Sequence, residues 1–300
     1  MQLPISLPQA DRTRVGVAWA TTILVSTLPE IVWTQLTPKP FGVLTIFKVC
    51  LLATLVLVSF AWSPIRPLRN YFIALLGFFV FNWVRLQINF TLPALQAFFG
   101  NTVFDARMQA EQMGKLVLSC VMIGVLLLLG YTRLQLYLTR GNLSAAMRPA
   151  PLLGFPRPDP WYRFGLQWGF YIAGALVAFQ YLSARPPTSA LLKVLPILPS
   201  ILFYAALNAI NEELTYRVPS LATLESAVGG GHALWMSAYF FGIAHYFGTP
   251  GGLPGGILSI FMGWILGKGI LETRGLWWSW WIHFLSDVVI FLFLAASLPK

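Results

Sequence analysis

Glu212, Glu213, Arg217, His245, His283 and Asp287 are the residues of this chain best suited to moving protons, and all lie in its last third inside otherwise apolar segments. An ionisable group at the centre of a bilayer costs roughly 2.5–3.5 kcal/mol on insertion scales, so a membrane protein keeps such groups where they are paired or used. Amide hydrolysis is one use that fits this set. It needs a base for water, donors where negative charge develops, and an acid for the leaving amine.

Helical spacing sorts the groups. Glu213 and Arg217 are four residues apart and are expected to pair on one face, whereas Glu212 lies about 100° round, in a stripe with Asn208 and Tyr216. Glu213 is then neutralised locally, and Glu212 is left without a cation of its own, free to act as a general base. The simpler alternative is that both acids only hold Arg217 and neighbouring helices together. Phe241 precedes His245 by four residues and His283 precedes Asp287 by four, so each pair shares a helix face. Counting about 1.5 Å per residue from the turns puts the glutamates, His245 and His283 at one level. His232 sits beside the glycines at 229–231 and reads as a solvated or capping histidine.

The elements that must position these groups are membrane helices. The 300 residues are 57% hydrophobic and only 10% charged, which predicts an all-α, polytopic transmembrane bundle of eight or nine spanning helices. Apolar segments appear at 15–36, 41–62, 71–86, 116–138, 164–182, 190–216, 233–247, 256–271 and 276–296, the first weakened by Pro29 and Glu30. The mixed stretch 87–114 is expected along the interface. The start has no apolar run behind a basic one, and the stretch after Arg14 reads as a retained helix. The expected organisation is an accessory transmembrane bundle over 1–140, a Pro-rich connector over 141–162 and a functional core over 163–300. Cys50 and Cys120 sit singly in apolar runs and suggest no disulfide framework. The net charge of +10 comes from basic residues scattered singly, a distribution that argues for topology determinants and against nucleic acid. Their asymmetry predicts a cytoplasmic N-terminus and a site nearer the outer face, with an integral location in a bacterial inner membrane.

In order over about 75 residues, Glu212-Glu213-x-x-x-Arg217, Phe241-x-x-x-His245 and His283-x-x-x-Asp287 resemble the motif set of the CPBP family. That family takes in CAAX prenyl endopeptidases and bacteriocin-processing or immunity-associated proteins, and is also called the ABI family of glutamic intramembrane proteases. The resemblance covers about residues 190–296. It implies an endopeptidase in which Glu212 activates water, His245 assists, and His283 with Asp287 stabilises the oxyanion, while Glu213, Arg217 and Asn208 support them. It implies no cofactor, and a membrane-anchored or lipidated protein tail as substrate. The sequence departs from the family pattern at Val218-Pro219, where members often have Gly after the arginine, and at Asp287, where the CAAX proteases have Asn. Asp287 donates to an oxyanion only when protonated; otherwise it orients His283.

Competing chemistries lack their signatures: the chain has no H-E-x-x-H, no G-x-S-x-G elbow and no Lys-Ser/Thr after its glycine-rich stretch at 251–256. Two readings stay open beside the glutamic one. His245, His283 and a carboxylate suit zinc with a water in the fourth position, and the same groups suit a proton relay in a transporter or a non-catalytic scaffold. Gly263-x-x-x-Gly267 predicts close helix packing. Trp277, Trp278, Trp280 and Trp281 read as an interface anchor.

Overall fold

A computed structural model describes residues 11–37, 42–100, 102–249 and 251–298. Residues 1–10 of the amino-terminal reading, Lys39, Phe41, Pro250 and Lys300 lie outside the described residues. The chain is helical almost throughout: α1 (Arg12–Val25), α2 (Leu28–Leu36), α3 (Gly42–Ala61), α4 (Arg69–Arg85), α5 (Pro93–Phe99), α6 (Val103–Leu128), α7 (Trp161–Ala184), α8 (Thr188–Leu192), α9 (Leu198–Glu212), α10 (Val218–Val228), α11 (Gly230–Ala244), α12 (Gly252–Thr273) and α13 (Trp277–Ser297). Two short strands, β1 (Ala146–Met147) and β2 (Asp159–Pro160), pair antiparallel inside the Pro-rich connector.

Among the described residues six helices are long and apolar enough to cross a membrane, or seven if the bent pair α1–α2 is one span. This polytopic bundle is an integral membrane protein. The count corrects the expected eight or nine, for two physical reasons. α11 has only 15 residues, about 22 Å, short of a hydrocarbon core of about 30 Å. α7 is long enough at 24 residues, but glutamines, tyrosines and tryptophans dilute its hydropathy below that of the spans. At α1–α2 the break that Pro29 imposes bends the pair by 47°. There Lys48 of α3 reaches the Ser26 carbonyl at 2.6 Å and both Glu30 oxygens at 2.6 and 2.7 Å, so neither buried charge is left alone.

A second correction concerns 87–114. Thr102 caps α6 by accepting from the Asp105 amide at 3.1 Å, so the helix starts at Val103 and carries Glu111 and Lys115 into the bundle instead of leaving them in a connection. One face of α6 packs on α9, through Asn211, whose side chain donates to the Gln112 carbonyl at 3.1 Å, and Ser119, which donates to the Asn211 carbonyl at 3.0 Å.

Small residues set the remaining spacing. α11 and α12 pack closely because a Cβ at Gly242 would stand 2.2 Å from the Ile260 nitrogen, and one at Gly263 3.2 Å from Ala238. The connector is tied down where Gly141 (φ 78°) meets Gly275 and Leu276 donates its N–H to Thr139 at 2.9 Å. The tryptophan cluster faces inward more than an anchor would. Only Trp277 is exposed; Trp278 is buried over Gly165 and donates to the Leu143 carbonyl, and Trp280 donates to the Ala206 carbonyl. Unsatisfied indole N–H groups are costly in a core, so the available carbonyls draw these rings in.

Gly242→Val should therefore sharply reduce the fraction of protein extracted as a monodisperse species and lower its melting temperature. Gly16→Ala, whose added Cβ meets nothing within 4 Å, should leave both unchanged.

Candidate active site

The glutamate pair sits where α9 ends. Residues Glu213–Arg217 form a π-helical turn before α10 resumes, with the Val218 N–H reaching back to the Glu213 carbonyl. Pro219 has no N–H to offer the preceding turn, which favours this wider winding, and such turns are frequent at functional sites. Glu213 and Arg217 are fully buried and paired at 2.6 Å, the ion pair that their spacing predicts. The Arg217 guanidinium lies 3.8 Å from the centre of the Phe241 ring. Glu213 also accepts from Ser279 Oγ at 2.5 Å and from His283 Nδ1 at 2.8 Å.

That last bond fixes the imidazole. A carboxylate accepting from Arg217 offers no proton, so His283 Nδ1 carries the hydrogen and Nε2 faces the other acids. Nε2 lies 3.5 Å from Glu212 Oε2 and 3.7 Å from Asp287 Oδ2. Asp287 Oδ2 accepts from Asn208 Nδ2 at 2.9 Å. His245 Nδ1 faces the Phe241 carbonyl at 3.1 Å, which can only accept, so its Nε2 holds the free lone pair. Phe241 links the two histidines, with ring centroids 4.5 Å from His245 and 5.8 Å from His283. The three histidine- and carboxylate-bearing helices thus bring their polar groups together at one level. His232 stands apart, exposed and accepting from Trp19 Nε1 at 3.2 Å.

Glu212 is not free of a cation. Lys115 of α6 lies 3.0 Å from its Oε1 and donates to Asn208 Oδ1 at 2.7 Å, with Glu111 a third partner at 3.0 Å. Helical spacing reveals partners on the same helix only, and Lys115 is 97 residues away in sequence. Its one sequence signal is the Glu111-x-x-x-Lys115 spacing, which also suits an ordinary surface pair.

A cavity of about 360 Å³ opens beside these groups between α7, α11, α12 and α13. His245, His283, Ser286 and Asp287 form its polar wall, and Trp168, Phe179, Leu258 and Met262 are among its apolar ones. Among the described residues no three histidine, cysteine, aspartate or glutamate side chains are grouped to hold a metal ion.

Arg217→Gln should cost about 3–5 kcal/mol of stability, because Glu213 would stay buried without its cation. Thermal unfolding of the detergent-solubilised protein reads this as a large drop relative to the parent.

Residues 194–289, about a third of the chain, match a family model described as type II CAAX prenyl endopeptidase Rce1-like. No curated protein and no solved structure matches the chain. The matched segment contains Asn208, the glutamate pair, Arg217, Phe241, both site histidines and Asp287. Over 194–289 the chain is thus similar to the type II CAAX prenyl endopeptidases of the CPBP family.

Proposed function

We propose that this protein is an intramembrane endopeptidase that cleaves a membrane-anchored or lipidated protein tail with water activated by Glu212. The observation that carries the reading is the convergence of Glu212 Oε2 and Asp287 Oδ2 within 3.7 Å of His283 Nε2, with His283 and Asp287 on the wall of an apolar cavity. An apolar segment of substrate suits that cavity, and its scissile carbonyl then meets the polar wall.

In this mechanism Glu212 takes a proton from water as the oxygen bonds to the carbonyl carbon, and the carbonyl oxygen becomes an oxyanion. His283 Nε2–H donates to it. When the C–N bond breaks, Glu212 returns the proton to the leaving amine. The free Nε2 lone pair of His245 accepts from the water and orients it. Charge balance supports an imidazolium at His283: four carboxylates, Glu111, Glu212, Glu213 and Asp287, face two fixed cations, Arg217 and Lys115. Asp287 orients His283 and is itself held by Asn208. The mechanism uses no metal. We further propose that the site lies nearer the outer face, with the N-terminus cytoplasmic, as the basic-residue asymmetry suggests.

Glu212→Gln is nearly isosteric and should abolish cleavage of membrane-reconstituted substrate tails, by at least about 100-fold, without lowering the melting temperature. Full activity in that variant would sink the mechanism. Asp287→Asn keeps a polar group beside His283 and should retain substantial activity, whereas Asp287→Leu should not. Prolonged chelation should leave the rate unchanged; loss of activity restored by added zinc would favour the metal reading.

A further inference from the structure

The apolar cavity reaches His245, His283 and Asp287, but Glu212 is not among the residues that line it. The carboxylate of Glu212 instead bridges two sides of the site, with Oε2 toward His283 and Oε1 toward Lys115. Side-chain exposure falls in one direction along this line: 40% at Glu111, 22% at Lys115, 13% at Glu212, 3% at His283 and 0% at Glu213. The solvent-exposed end of this line is therefore on α6.

A separate pocket of about 310 Å³ lies on that side, between the end of α4 and α6. Arg85 and Glu111 put both signs of charge on its wall, and Gly114 forms part of it. Arg107, one turn nearer the start of α6, is exposed. Charged groups at this density within a membrane protein belong beside water. A neighbouring stripe of α6, toward its start, is polar as well. Asp105 Oδ1, Gln109 Oε1 and Gln112 Nε2 are buried with no hydrogen-bond partner among the described residues. Buried polar atoms of this kind are normally satisfied, by ordered water where protein does not supply the partner.

We infer that the site has two mouths, the peptide arriving through the apolar cavity and the water through the α4–α6 pocket, with Lys115 as the positioning residue that holds Glu212 where they meet. The inference rests on the reading of Glu212 as the base. It separates a greasy substrate from a polar one that the same opening would not serve equally well. Lys115 uses its three N–H donors on Glu111, Asn208 and Glu212, so it orients the carboxylate and does not itself donate to the reacting peptide.

Two measurements test this, the first independent of catalysis. In a Cys50→Ser/Cys120→Ser background, Glu111→Cys should react with a charged, water-soluble methanethiosulfonate in reconstituted vesicles permeable to the reagent. Leu258→Cys, on the cavity's apolar wall, should react at least about tenfold more slowly with it while accepting an uncharged maleimide. Failure of the Glu111→Cys variant to react with the charged reagent would overturn the water route, whatever the activity. In the second, Gly114→Leu fills the pocket, since a Cβ there already stands 3.2 Å from Phe90 and 3.3 Å from Arg85. It should lower kcat about tenfold with KM unchanged. If that variant does not fold, the thiol adduct of the Glu111→Cys variant supplies the same obstruction and the same kcat readout. Lys115→Met should lower kcat by about 100-fold and Lys115→Arg should restore most of it. Unchanged kcat in the labelled Glu111→Cys variant or in Lys115→Met would overturn the proposal, whereas retained activity in Glu212→Gln would instead overturn the reading of the base.

Discussion

Everything around the site depends on one carboxylate that has no contact with solvent. Glu213 takes donors from Arg217, Ser279 and His283 at once, and Arg217 lies against Phe241. Two bare charges in such surroundings would cost several kcal/mol each, so they persist only as a pair, even with Arg217 Nε and Nη2 lacking a hydrogen-bond partner among the described residues. That requirement ties the π turn after α9 to α11 through the aromatic ring and to α13 through the imidazole. The buried pair contributes less to net stability than to geometry. It dictates which face of His283 is left for chemistry, because an acceptor on Nδ1 leaves only Nε2 to look toward Glu212 and Asp287.

Much of this was legible in the sequence because it is local. Spacings of four residues put Glu213 beside Arg217 and His245 beside Phe241, and helix arithmetic brought three helices to one depth. The π turn was not legible: a four-residue spacing suits α and π winding alike, and only Pro219 hinted at a missing donor. Lys115 was hidden for a different reason. It follows directly on a stretch that looks mixed and interfacial, where the one local sign of a helix running on to Leu128 is the Thr102-x-x-Asp105 spacing. The inward turn of the tryptophans was hidden because indoles serve membrane interfaces and carbonyl-lined interiors equally well, and the deciding carbonyls of Leu143 and Ala206 are distant in sequence.

The two sides of the site differ in what they can solvate. α7 and α12 offer mainly rings and aliphatic chains to the cavity, whereas α6 offers amides, carboxylates and ammonium. Hydrolysis inside a bilayer joins partners of opposite solubility, and a single uniform opening suits only one of them. In this fold the contrast arises from helix choice, since the buried face of α6 carries Asp105, Gln109, Gln112 and Ser119. Asn208 is the hinge between the two environments, with its oxygen on Lys115 and its nitrogen on Asp287.

Lys115 lies well outside the stretch that matches a known family. The recognisable segment is therefore not a self-contained machine. Grafted onto another bundle, residues 194–289 would bring the acids and imidazoles but leave Glu212 without its counter-charge and Asn208 with one arm empty. On the proposed reading, part of what the matched segment needs is supplied by a helix outside the match. An exchange of the chain at 141–162 would part Glu212 from Lys115.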